Sequence, residues 1–345
     1  MSKRSIGMIA ATALTVLAPL HMAQAEEIVL KVAHFWPPTA LSQKTVLEPW
    51  CAKIAEQSQN RMKCQIYPAM QLGGTPPQLM QQAADGIADI VWTLPGYTAG
   101  RYPTAEVLEL PFMTTSAESG SRAAWNLYER FGQKDFEAVK PLAFNVHDAG
   151  HVHNNVRPIK TLADFKGLKL RAPTRLTNKM LAMLGATPVA IPMPSLPDAV
   201  SKGVADGYVL PWEVIPTMKL HEMTKYDTET DPAQPSLYTA VFSIVMNKAK
   251  YASLPDDLKK VIDANSGADF SASIGKAWDE SGTMARKIAA EGHQVDVIPA
   301  ADMGPWRKVG DQLAVDWAKE MTAKGYDGQA MVDAARELTA KYATK

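Results

Sequence analysis

The sequence predicts an α/β protein of two lobes with a ligand cleft between them. Three observations lead there. Strand and helix patterns alternate from residue 28 to 92 and again from 168 to 210, the rhythm of two sheets covered by helices. Apolar β-rich runs at 142–146 and 238–246 mark where the chain leaves the first series and crosses back to it. A helical pattern over 255–291 is long enough to span both lobes.

Taken in order, Ile28–His34 reads as a buried strand, and 41–57 as a helix with apolar positions three and four apart. Residues 62–67 form the next strand, 76–84 a helix closed by Gly86, and 88–92 a third strand. Strand, helix, strand, helix, strand predicts a parallel sheet with right-handed crossovers. The strand at 142–146 is expected to have 152–156 paired beside it. Residues 168–171 open the second series, followed by helix 175–184, strand 189–191, helix 197–202 and strand 208–210. Residues 295–298 form a last strand, and the chain is helical from Ala300. The expected division is 26–150 for the first lobe, with returning segments from about 238–275, then 151–237 for the second. Residues 276–345 form a C-terminal helical region packing on both.

A chain of 345 residues can bury a large core, and 46% hydrophobic with 21% charged residues describes an ordinary globular protein. Its 36 acids balance 36 bases along the whole length, which argues against a nucleic-acid surface. Residues 1–25 read as a secretory signal. Lys3 and Arg4 supply the basic start, a short apolar run follows, and Ala23-Gln24-Ala25 is a small-residue cleavage site, so cleavage is expected after Ala25. Export leads to an oxidising compartment. There Cys51, in the first helix, and Cys64, in the strand that follows, are a candidate disulfide; two buried thiols are the alternative. Two cysteines at this spacing make no zinc site.

The chemistry concentrates at Gly167-Leu168-Lys169-Leu170-Arg171-Ala172-Pro173, a short strand that ends in one arginine before a proline. A guanidinium is always charged, and its planar donor fork matches the two oxygens of a carboxylate. Alternation alone would leave Lys169 and Arg171 on a solvated face. The context points elsewhere. Asp164-Phe165-Lys166 precedes this strand, and Gly185-Ala186-Thr187-Pro188-Val189 follows the next helix. Around them stand Ile66-Tyr67-Pro68 with Gln71-Leu72-Gly73, Asp85-Gly86 with Ala88-Asp89, Leu110-Pro111-Phe112, and Val204-Ala205-Asp206-Gly207.

In order and spacing these motifs closely resemble the substrate-binding proteins of TRAP (tripartite ATP-independent periplasmic) transporters, in their DctP-like branch, over nearly the whole mature chain. The resemblance implies a two-lobed periplasmic binding protein fold with a long helix across both lobes. It implies a periplasmic receptor that captures a small organic carboxylate through Arg171 and passes it to TRAP membrane permease subunits. Transport is then driven by an ion gradient, with no cofactor and no nucleic acid involved.

Carried over by position, the resemblance implies that the cleft is lined by residues after the first strand, after the third, in the linker and after the Ala-Asp-Gly turn. Those positions hold His34, Phe35 and Trp36, then Trp92 and Tyr97, then His151, and finally Leu210 and Trp212; Met193 supplies a further wall. The polar groups of sugar-acid binders are missing, and Leu210 stands where relatives carry a ligand-binding asparagine. Hydroxyls of a sugar acid would lose about 1 to 3 kcal/mol each against such walls. An aromatic or apolar monocarboxylate such as benzoate, mandelate or benzoylformate would stack on them. A small keto acid or a C4-dicarboxylate is the alternative ligand, although His151 replaces the second arginine many relatives use. Glu213, beside the last of these strand ends, has no obvious role.

No Gly-x-Ser-x-Gly elbow, His-Glu-x-x-His or phosphate-binding glycine loop occurs, and His151 with His153 lacks further metal ligands. The competing reading from another class is a periplasmic enzyme using His34 or His151, since catalytic groups need not be close in sequence.

Overall fold

The computed structural model describes residues 27–343, so the secretory signal expected at 1–25 lies outside the described residues. Two mixed sheets organise the chain. In the first, β1 (Ile28–His34), β2 (Met62–Tyr67) and β3 (Ile90–Thr93) run parallel in the order β2-β1-β3, separated by α1 (Glu48–Gln57) and α2 (Leu79–Ala84). Cys51 of α1 and Cys64 of β2 are joined by a disulfide, with Cα atoms 5.6 Å apart. α3 (Pro103–Glu106) and α4 (Ala117–Leu127) lead into β4 (Val139–Val146).

The chain then enters the second sheet on β5 (Gly150–Asn154). There follow β6 (Lys169–Ala172), α5 (Arg175–Leu184), β7 (Thr187–Ala190), α6 (Leu196–Ser201), β8 (Gly207–Pro211) and β9 (Tyr226–Thr230). It returns on β10 (Val241–Asn247), which inserts between β3 and β4. α7 (Lys248–Ser253), α8 (Asp256–Ala264) and α9 (Ala268–Ala289) follow. β11 (Gln294–Ile298) rejoins the second sheet beside β9, and α10 (Gly304–Ala323) and α11 (Gly328–Tyr342) end the described chain.

The parallel arrangement expected for residues 28–92 is present in β1, β2 and β3, but both sheets as a whole are mixed: β10 lies antiparallel to both its neighbours, and β5 is the reversed strand of the second sheet, pairing antiparallel with β8 and β9. Both reversed strands are crossover strands, so their direction is fixed by the lobe the chain comes from, which no local pattern records. For the same reason the strand expected at 152–156 beside 142–146 is Gly150–Asn154 in the other sheet. The helical run over 255–291 breaks at Asn265–Gly267, where Gly267 adopts φ +96° and donates its N–H to the Leu142 carbonyl. β9 went unrecognised because Asp227, Thr228 and Glu229 make it polar, although they are buried.

α9 does reach both halves, touching α4 and β4 on one side and the 212–214 turn on the other. Close approach to α4 depends on Gly275, where a Cβ would sit 2.2 Å from the Ala117 carbonyl oxygen. At the crossover, a Cβ on Gly150 would meet the Tyr238 ring at 2.2 Å, so only glycine lets that aromatic lie across the start of β5.

Candidate functional site

Strand ends build the site. The C-terminal ends of β1, β3, β4, β6 and β8 deliver Phe35 and Trp36, Leu94, His147, Arg171 with Pro173, and Leu210 with Glu213 to one partly open cleft, about 420 Å³ of empty space with its open mouth included. In open α/β sheets this carboxyl edge is where ligands bind. Because β10 is reversed, its first residues lie at the same edge and add Ala240 and Phe242. Tyr97, Met193, Tyr238 and, from α9, Trp278 also line the space.

The walls are aromatic and rigid. Phe35 stacks on Trp36 with ring centres 4.1 Å apart, and Tyr97 meets Phe35 edge-on at 5.7 Å. Phe242 lies 5.5 Å from Trp36 and 4.8 Å from Trp278. Such surfaces favour another ring through area and edge-to-face contacts.

Against these walls stand a few polar groups with bonding capacity left over. Arg171 is 1% exposed, so the solvated-face reading of its strand fails. Its Nε donates to the Ile191 carbonyl at 2.7 Å, while Nη1 has no partner among the described residues. A buried cation normally pairs with an anion. The Tyr238 hydroxyl is likewise unpartnered, and burial raises its pKa, so it stays a neutral phenol. The Tyr97 hydroxyl accepts from the Met193 N–H at 3.3 Å. His147 Nδ1 lies 2.5 Å from the Asp148 carbonyl and Nε2 has no partner among the described residues; burial lowers its pKa to about 4. Burial alone lifts the Glu213 carboxyl to about 7.

Of the residues expected at the cleft from sequence, Arg171, Phe35, Trp36, Tyr97, Met193 and Leu210 line this cavity. Four others stand apart. The His34 ring turns to Gln43 at 3.0 Å, and burial lowers its pKa to about 4. Trp92 forms a second layer behind Trp36, its indole N–H donating to Asn145 at 3.1 Å. His151 and Trp212 lie in a separate depression with Asp148, Glu229 and Arg286, where the Trp212 indole donates to Glu229 at 2.7 Å. His153, not His151, finds a carboxylate, Asp227 at 2.7 Å.

Sequence reasoning missed His147, Tyr238, Phe242 and Trp278. The rule that found Phe35 would have found His147, since it directly follows β4. Tyr238 and Phe242 could be reached only by knowing that β10 is reversed, and Trp278 only by knowing how α9 lies. Among the described residues no group of His, Cys, Asp and Glu is arranged to hold a metal ion, and no helix is long and apolar enough to cross a membrane.

Residues 32–320 match the family described as DctP, bacterial extracellular solute-binding protein family 7. A TRAP solute-binding protein from Rhodoferax ferrireducens, solved with copurified benzoate, is 44% identical with a TM-score of 0.89, covering 91% of this chain and 98% of that one. A marine-metagenome TRAP solute-binding protein specific for aromatic acid ligands is 43% identical with a TM-score of 0.90, covering 92% of this chain and all of its own (100%); its structures hold 3-hydroxybenzoate or metahydroxyphenylacetate. A Bordetella bronchiseptica relative with bound (R)- and (S)-mandelate is 26% identical with a TM-score of 0.84, covering 92% of this chain and 100% of that one.

Proposed function

The chain belongs to bacterial extracellular solute-binding protein family 7, and from that premise we propose that it captures an aromatic monocarboxylate and delivers it to a TRAP membrane permease. Proteins of this kind are periplasmic and bind solutes for transport, and the solved relatives are TRAP solute-binding proteins. The observation that carries the ligand class is one buried guanidinium, its Nη1 without a partner among the described residues, in the lining of a cavity whose walls are otherwise mostly aromatic and aliphatic.

The carboxylate pairs with Arg171, and the ring lies against the aromatic wall that Phe35, Trp36 and Phe242 form. Burial strengthens that pair, because both partners leave water together. Solved relatives holding benzoate, mandelate and hydroxylated aromatic acids support the reading. A C4-dicarboxylate is disfavoured: Arg171 is the only cation lining the cavity among the described residues, and a second carboxylate would meet Glu213. The enzyme reading is disfavoured too, with His34 bonded to Gln43 and His151 in a different depression. Titration calorimetry with benzoate, pyruvate and succinate tests this. Benzoate is expected to bind and the other two to bind weakly; tight succinate with silent benzoate would overturn it.

A further inference from the structure

His147 has one ring nitrogen spoken for and one free. The Asp148 carbonyl, 2.5 Å from Nδ1, can only accept, so Nδ1 carries the ring proton. Burial and the nearby Arg171 charge keep the ring neutral, which leaves Nε2 a bare lone pair. That nitrogen is buried, with His147 only 4% exposed, and it has no partner among the described residues. Tyr238, whose ring centre is 5.1 Å away, does not supply one, and its own hydroxyl is unpartnered.

A carboxylate brings lone pairs alone, so it cannot satisfy Nε2 and belongs at Arg171. The atom that belongs at Nε2 is a hydrogen-bond donor. We propose that His147 accepts a hydrogen bond from a hydroxyl on the bound acid, so that this protein prefers hydroxylated aromatic monocarboxylates over the bare ring acid. His147 is thereby a specificity residue. The proposal rests on the aromatic-acid reading above and adds a substituent to it. The hydroxyl is a phenol on the ring or an alcohol beside the carboxylate; both offer the same donor, and relatives with each are solved.

Calorimetry on the full chain decides, using benzoate against 3-hydroxybenzoate and phenylacetate against both metahydroxyphenylacetate and mandelate. At least one hydroxy acid is expected to bind about tenfold more tightly than its parent, the size of one good hydrogen bond. A ring-hydroxyl gain places the donor on the ring, and a mandelate gain places it beside the carboxylate. In His147→Leu the ratio should collapse toward one. Parents binding as tightly as every hydroxy acid, or a preference that survives His147→Leu, would overturn the proposal while leaving the aromatic-acid reading intact. If no aromatic acid binds at all, that underlying reading fails first. Should His147→Leu not fold, ¹⁵N NMR of the wild-type imidazole replaces it. The Nε2 resonance should move with the preferred hydroxy acid and not with its parent, and a static resonance would overturn the proposal.

Discussion

Arg171 and Arg175 share one short stretch of chain, at the end of β6 and in the first turn of α5, and the fold uses them in opposite ways. Arg175 has completed its bonding. Its Nε and Nη2 grip Glu106 at 2.6 and 2.5 Å while Nη1 reaches Glu320 at 2.9 Å, tying α3, α5 and α10 together. Arg171 is more deeply buried, yet its Nε bonds only a carbonyl and its Nη1 has no partner among the described residues. A guanidinium surrounded by its own protein's carboxylates is a strut. In the proposed function, one left buried and open is held ready for an anion from outside.

The sharpest way to break this contrast is to remove each charge. Arg171→Ala should cost about 2 to 5 kcal/mol of benzoate affinity in calorimetry, as for a buried pair losing one partner. Undiminished affinity would show that another group holds the acid. Arg175→Ala should instead cost about 3 kcal/mol of stability in denaturant unfolding, because Glu106 is left buried without its counter-charge. It should change benzoate affinity less than Arg171→Ala does. If the two variants lose affinity equally, strut and anchor are not distinct.

Glu213 sharpens the comparison from the acidic side. Its carboxyl is raised from 4.5 to about 7 in the folded protein, so folding favours the protonated form. That contribution is complete below pH 4.5 and is lost as pH rises through 7. Glu213→Gln should therefore gain stability on the wild type between pH 5 and 8, by about 2 kcal/mol. Asp148, raised partly by Glu213, should relax downward at the same time. Three of the buried histidines, His34, His147 and His151, act oppositely. Their folded pKa values near 3 to 4 lie below the usual 6.5, so their contribution is full above pH 6.5 and fades only as pH falls toward 4. A flat difference between the two proteins over pH 5 to 8 would mean that Glu213 is not desolvated.

The smallest effects concern the walls. Phe35→Leu should cost about 1 kcal/mol in binding an aromatic acid, the value of one ring contact beyond area. Trp212→Phe, in the outer depression, should leave that affinity unchanged. Equal losses would erase the distinction between the two hollows.

Much of this was legible without coordinates. The strand–helix alternation gave most elements to within a few residues, because period 2 and period 3.6 burial is written locally. Arg175–Leu184 was read with its full bounds, since Thr174 caps it and Gly185 ends it with φ +103°. The strand-end rule found Phe35, Trp36 and Leu210, and the order of motifs pointed to Arg171. The positions carried over from the resemblance also included His151, inside the crossover strand β5, and Trp212, just after β8, which line a separate depression.

The sequence by itself determined the composition of the site: one arginine with no neighbouring acid in its strand, set among aromatics and lacking the polar residues a sugar would need. Only the tertiary structure decided which histidine joins it. That choice turns on strand direction: β4 ends with His147 at the cavity edge, the reversed β10 starts there with Phe242, and β5 takes His151 into the other depression. Strand direction is set by contacts between residues far apart in the chain, here Val241 opposite Val146 and Gly150 opposite Pro211. A local pattern of side chains carries no record of such pairings.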